Sequence, residues 1–65
     1  MMDHLHSKST ILDALKAGLV LSGDDWLLRS VAGELLADTE EREPMLFPLT
    51  AAGLEAALEW IRIPF

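Results

Sequence analysis

The amino-acid sequence predicts a mainly α fold, a compact three-helix domain, with a small β-hairpin before the last helix as an open alternative. Apolar residues recur at three- and four-residue intervals in three segments, as in helices that bury one face. A hydroxyl-bearing residue that can cap a helix precedes each segment. The 65 residues allow one domain. We place it at residues 10–65, after a flexible N-terminal tail at residues 1–9.

The first helix is predicted at about residues 11–17, with Thr10 as its N-cap. Gly18 stands where a left-handed residue commonly ends a helix. The apolar residues 19–21 then connect this helix to the second one.

The second helix is predicted at about residues 24–37, with Ser22 as its N-cap. Asp24 and Asp25 place negative charge in its first turn, where the helix dipole favours it. The apolar residues that would share one face are Leu28, Val31, Ala32, Leu35 and Leu36. Gly33 weakens this helix or marks an earlier end, because glycine costs up to about 1 kcal/mol relative to alanine.

A polar turn is predicted at residues 38–44, where the chain is rich in acidic residues. Pro44 and Pro48 exclude a helix between them, so residues 45–47 are a short strand or an extended apolar segment. If they form a strand, its partner is residues 34–38. That hairpin competes with the end of the second helix, and both alternatives stay open.

The third helix is predicted at about residues 51–62, with Thr50 as its N-cap and Pro64 beyond its end. Its apolar face would join those of the other two helices in a single core. The residues expected in that core are Leu12, Leu15, Leu19, Leu28, Val31, Leu35, Phe47, Leu54, Leu58 and Ile61.

The charge balance disfavours direct binding to nucleic acid. The chain has 11 acidic and 5 basic residues and a formal net charge of −6. Phosphate binding requires clustered basic residues, whereas those of this chain are scattered. A protein partner with a basic surface is the better electrostatic match. We also expect no membrane helix, no signal peptide and, because cysteine is absent, a cytoplasmic location.

No catalytic, metal or cofactor site is expected. The histidines are His4 and His6, which lie beside Asp3 in the predicted tail and lack a third histidine for a metal site. No serine has a histidine base near it in a segment expected to fold. The four glycines are dispersed, so there is no glycine-rich phosphate loop. We therefore predict that the protein is not an enzyme.

Two sets of residues are candidates for partner binding. The acidic set lies in the predicted turn and comprises Asp38, Glu40, Glu41 and Glu43. The apolar set, which could bind a partner or a second copy, comprises Trp26, Trp60, Ile63 and Phe65. The alternatives are a solvated loop for the first set and core packing for the second.

Two segments resemble small phage-type winged helix-turn-helix proteins. Residues 9–18, followed by Leu21-Ser22 and a new helix, are similar to the opening of such proteins. Residues 47–54 resemble the point where the second strand of the wing enters the last helix. The resemblance implies DNA binding, but a DNA-reading helix needs Lys, Arg, Asn or Gln. The predicted second helix offers only Arg29, and the wing-like turn is acidic.

The first functional hypothesis is therefore a small acidic protein-binding module. It would act as an adaptor or inhibitor, encoded by a phage or another mobile element, that docks on a basic nucleic-acid-handling protein. One alternative is a dimeric helix-turn-helix transcriptional regulator that binds DNA. The other is a self-assembling structural subunit, and a homodimer would form through the apolar set.

Overall fold

In a computed structural model, which describes residues 8–62, the chain forms two helices and a four-stranded antiparallel sheet. The elements in chain order are α1 (Lys8–Lys16), β1 (Leu21–Ser22), β2 (Trp26–Val31), β3 (Glu34–Thr39), β4 (Met45–Pro48) and α2 (Ala51–Ile61). The strands lie in the sheet in chain order. The predicted mainly α, three-helix fold is wrong, and the observed fold is α+β.

The error lies in the predicted second helix, whose residues form the β2–β3 hairpin. Val31 pairs with Glu34, which leaves Ala32 and Gly33 as a two-residue turn. Both turn residues have positive φ angles, 53° and 82°, as the hairpin turn of type I′ requires. The glycine that weakened the helix prediction is thus the glycine of a turn. A helical spacing of leucines could not reveal this. Leu28 and Leu35 are seven residues apart, which places them on one face of a helix, and the pairing of Ser30 with Leu35 also places them on one face of the hairpin.

We expect the replacement of Ala32 by asparagine to raise the free energy of unfolding by about 1 kcal/mol, because alanine pays a steric cost at positive φ that asparagine tolerates better. Urea denaturation of the variant and the parent measures the change. The matched control is Ala56→Asn on the exposed surface of α2, where the same replacement lowers helix propensity and stability. Destabilisation by Ala32→Asn would contradict the turn assignment.

The hairpin left open before the last helix is confirmed. Residues 34–37 of β3 pair with residues 45–48 of β4 in antiparallel register. Pro48 is the last residue of β4, a position at the edge of the sheet where the missing N–H is tolerated.

The outcome at the helix ends is mixed. α1 begins at Lys8 and includes Thr10, so the prediction that Thr10 is an N-cap is wrong. It ends as predicted near Gly18, which has a φ of 93° and donates its N–H to the carbonyl of Leu15. The N-cap prediction for Thr50 is confirmed, since its hydroxyl accepts from the Gly53 N–H at 3.1 Å.

One core lies between the two helices and one face of the sheet. Its buried residues are Ile11, Leu15, Leu28, Leu35, Ala37, Leu54, Ala57 and Leu58. Leu12, Phe47 and Ile61 pack against it and are partly buried. Two core predictions are wrong: Leu19 is 56% exposed after α1, and Val31 lies on the other face of the sheet.

The helix-turn-helix prediction is also wrong. The resemblance requires a second helix soon after α1, where a recognition helix would lie in the major groove, and the chain forms strands β1 and β2 there. Within residues 8–62, neither helix combines the length and the apolar character needed to cross a bilayer.

Candidate functional site

The two faces of the sheet differ in what covers them. Successive side chains of a strand point to opposite faces, so the register assigns each residue to a side. Leu28 lies opposite Ala37, and Leu35 lies opposite Phe47. These residues belong to the core or pack against it, together with both helices. We call this side the core face.

The side chains of β2, β3 and β4 that point to the opposite side form what we call the open face. Its members are Leu27, Arg29 and Val31 from β2, Glu34, Leu36 and Asp38 from β3, and Leu46 and Pro48 from β4. Its central row runs from Arg29 through Leu36 to Leu46, across three strands.

Four side chains make the open face largely apolar: Leu27, Val31, Leu36 and Leu46. None of them contributes to the core cluster or packs against it. Leu46 is 53% exposed, and the other three are partly exposed. Within residues 8–62 both helices pack on the core face, so this apolar patch has no cover from the described part of the chain.

The edges of the sheet are poorly suited to the addition of another strand. β1 contains two residues, which is too short to template a long pairing. β4 contains four residues and ends at Pro48, which has no N–H to donate, and Pro44 precedes it. The open face therefore offers a larger contact area than either edge of the sheet.

Acidic residues gather at one end of the sheet. The β1–β2 turn and the β3–β4 loop meet there, and the Glu40 N–H donates to the carbonyl of Asp25 at 3.2 Å. Six of the eleven acidic residues of the chain lie in this region, which we call the acidic end: Asp24, Asp25, Asp38, Glu40, Glu41 and Glu43. Asp38 belongs to both the acidic end and the open face, so the two surfaces are continuous.

A depression of about 370 Å³ lies at the acidic end. Four carboxylate residues line it, namely Asp24, Asp25, Asp38 and Glu40, and no described basic residue does. Trp26 and Thr39 line the same depression, and the hydroxyl of Thr39 is buried without a hydrogen-bond partner among the described residues. This lining suits a cationic group, which carboxylates and an indole ring both attract.

The one basic residue of the β3–β4 loop is engaged elsewhere. The guanidinium carbon of Arg42 lies 4.2 Å from the centroid of the Trp60 ring, and Arg42 also donates a hydrogen bond to the Trp60 carbonyl. Trp60 meets Phe47 edge to face, with ring centroids 6.2 Å apart. Arg42 thus ties the loop to α2.

We expect Arg42→Ala to lower the free energy of unfolding by about 1 kcal/mol, the value of an exposed cation–π contact. Thermal unfolding measures the loss, and the indole N–H resonance of Trp60 reports the change in ring environment. Arg42→Lys keeps the charge without the planar guanidinium, so we expect an intermediate loss. An unchanged indole resonance in Arg42→Ala would show that the contact does not form in solution.

The predicted acidic set lies together at the acidic end, with its glutamates exposed. The predicted apolar set is divided. Trp26 and Trp60 are half-buried and pack against the core, whereas Ile63 and Phe65 lie outside the described residues, as do His4 and His6. Partner binding by any of these residues stays a prediction.

Two parts of this surface were missed by sequence reasoning. Asp24 and Asp25 were assigned to a helix N-terminus, and they instead join the acidic end across the sheet. Val31 and Leu36 of the open face were assigned to the apolar face of the predicted second helix, and Leu46 was placed in a short strand or extended segment without a face. The available signal for a hairpin was the dipeptide Ala32-Gly33 between two apolar segments, because glycine in a two-residue connection is typical of a hairpin turn.

Together, the fold and this surface define a small α+β domain whose antiparallel sheet carries two helices on one face and an apolar patch on the other. Within residues 8–62, no group of three or more His, Cys, Asp or Glu side chains is arranged to hold a metal ion. The chain matches no protein-family model, no curated protein and no solved structure.

Proposed function

We propose that this domain is a non-catalytic protein-binding module that uses the open face as its contact surface. The observation that carries the proposal is the apolar patch on the side of the sheet away from both helices. Burial of apolar area is the main favourable term in protein association, and contiguous apolar patches on small soluble domains mark interaction sites.

The charges support a partner with a basic surface, such as a protein that handles nucleic acid. The net charge is −6, and the acidic end adjoins the open face. Opposite charges on two partners speed their encounter and suppress wrong pairings. A cytoplasmic adaptor or inhibitor is the form of this proposal that agrees with the cysteine-free composition.

Replacing Leu46 by aspartate tests the proposal, because it places a charge in the apolar patch. The tagged domain is used to capture proteins from an extract of its source cells, and bound proteins are quantified. We expect Leu46→Asp to reduce recovery of specific partners at least about tenfold, since a buried unpaired charge is costly at an interface.

Leu19→Asp is the matched control for this experiment. Leu19 and Leu46 are exposed to almost the same extent, 56% and 53%, but Leu19 lies in the connection between α1 and β1 rather than on the open face. We expect Leu19→Asp to retain the partners. Equal recovery with Leu46→Asp and the parent would contradict the open face as the contact surface. An absence of specific partners with all three proteins would contradict the proposed function.

Self-assembly is a second candidate function, because the same apolar patch could be buried against another copy. The net charge of −6 on each copy opposes this association. Light scattering as a function of concentration distinguishes the two functions. A strict monomer at high concentration removes self-assembly, and a dimer that Leu46→Asp dissociates supports it.

A further inference from the structure

We infer that the occupant of the open face is a single amphipathic α-helix of a partner protein, with a lysine or arginine side chain that enters the depression at the acidic end. This inference rests on the proposed function and specifies the shape and charge of the partner. Three observations lead to it: the dimensions of the open face, the short edges of the sheet and the lining of the depression.

The dimensions of the open face match one helix. Three strands contribute to its central row, and adjacent strands lie about 4.8 Å apart, so the face is roughly one helix diameter wide. β2 and β3 each have six residues and span about 20 Å, which about 13 helical residues would cover. A helix there would complete a third layer, as sheets with helices on both faces do.

The edges of the sheet argue against an extended partner. A peptide that adds to a sheet as a strand needs an edge with a row of free N–H and C=O groups. β1 has only two residues, and β4 ends at Pro48. A helix satisfies its own backbone hydrogen bonds and needs only an apolar face. The four apolar side chains of the open face offer that contact.

The charges of the surface determine where the helix carries charged side chains. Its end that lies over Asp38 adjoins the depression lined by four carboxylate residues, so a basic side chain is favoured there. Arg29, in the central row, favours an acidic or polar residue near the middle of the helix. The partner is therefore a basic amphipathic helix with one acidic or polar position near its middle.

The probe is a synthetic amphipathic helix of about 18 residues made of leucine and lysine, with leucine along one side. A matched probe has glutamate in place of every lysine. Each is titrated into the isotopically labelled full chain at low salt, and amide shifts are mapped by nuclear magnetic resonance. We expect shifts centred on Leu36 and Leu46 and at the acidic end, with the lysine probe binding at least about tenfold more tightly.

The double variant Asp24→Asn with Asp25→Asn tests the depression itself. We expect it to weaken binding of the lysine probe by about fivefold at low salt and much less at high salt, because salt screens exposed charges. The matched control removes two carboxylates from exposed positions of the helices, Asp13→Asn with Glu59→Gln. We expect that control to change binding by less than about twofold.

The outcomes separate the inference from the proposed function. Equal affinity for the two probes, or equal effects of the two double variants, would contradict the inference that the partner is basic. Neither result would contradict the open face as a contact surface. Shifts confined to α1 and α2 would overturn the helix on the open face. Amide shifts across the open face that depend on protein concentration in the absence of a probe would identify a second copy as the occupant. That result would also overturn the inference of a partner helix. Failure of the proposed function appears separately, as partner capture that Leu46→Asp leaves unchanged.

Discussion

Replacing Leu35 by alanine is expected to lower the free energy of unfolding by about 3 kcal/mol, whereas the same replacement at Leu36 lowers it by less than about 1 kcal/mol. Leu35 is fully buried on the core face, and its deletion leaves a cavity between β3 and the helices. Leu36, its neighbour in β3, lies partly exposed on the open face. Urea denaturation of both variants measures the two losses.

These two leucines distinguish the strand from the helix that the sequence predicted. On the predicted helix, Leu35 and Leu36 share one apolar face, and both replacements would be costly. In β3 they point to opposite sides of the sheet. Similar losses for the two variants would contradict the strand or would show that the open face is covered in the free protein.

Replacing Gly53 by alanine is expected to lower the free energy of unfolding by about 2 kcal/mol, although alanine is the better helix former. A β-carbon at position 53 would lie 1.9 Å from the carbonyl oxygen of Pro48. That oxygen belongs to the backbone at the end of β4 and cannot rotate away. The first turn of α2 would have to move off the sheet, and the Thr50 cap would be disturbed.

Ala56→Gly in the same helix is the matched control for Gly53→Ala. Ala56 is exposed, so loss of its methyl group changes only helix propensity and costs about 1 kcal/mol. Helix propensity alone therefore predicts that Gly53→Ala raises the free energy of unfolding by a similar amount. The contact with Pro48 predicts that it lowers the free energy of unfolding. Calorimetric unfolding of both variants decides the sign, and stabilisation by Gly53→Ala would show that α2 does not approach β4 so closely.

The candidate surface was predictable only in part. The acidic turn could be recognised because its residues are consecutive in the chain and rich in carboxylates. The acidic turn lies beside Asp24 and Asp25 only because strand pairing brings two distant segments to one end of the sheet. The open face depends in turn on the register, since a shift of one residue would exchange the two faces of a strand.

Local chemistry in the sequence determined the parts of the fold that need no distant partner. Thr50 caps α2, Gly18 closes α1, and Pro44 and Pro48 keep the segment between them extended. Each of these effects acts within a few residues, so the sequence alone predicts it. The capping and the left-handed turn satisfy backbone groups that any helix end leaves free.

Only the tertiary structure decided between helix and hairpin at residues 24–39. The spacing of the leucines there is helical, and helix propensity also favours the helix, although strand pairing places Leu28 and Leu35 on one face as well. The hairpin prevails because pairing of β2 with β3, and of β3 with β4, lets one side of the sheet join α1 and α2 in a single core. The same pairing places the other leucines on the open face, where the proposed partner binds.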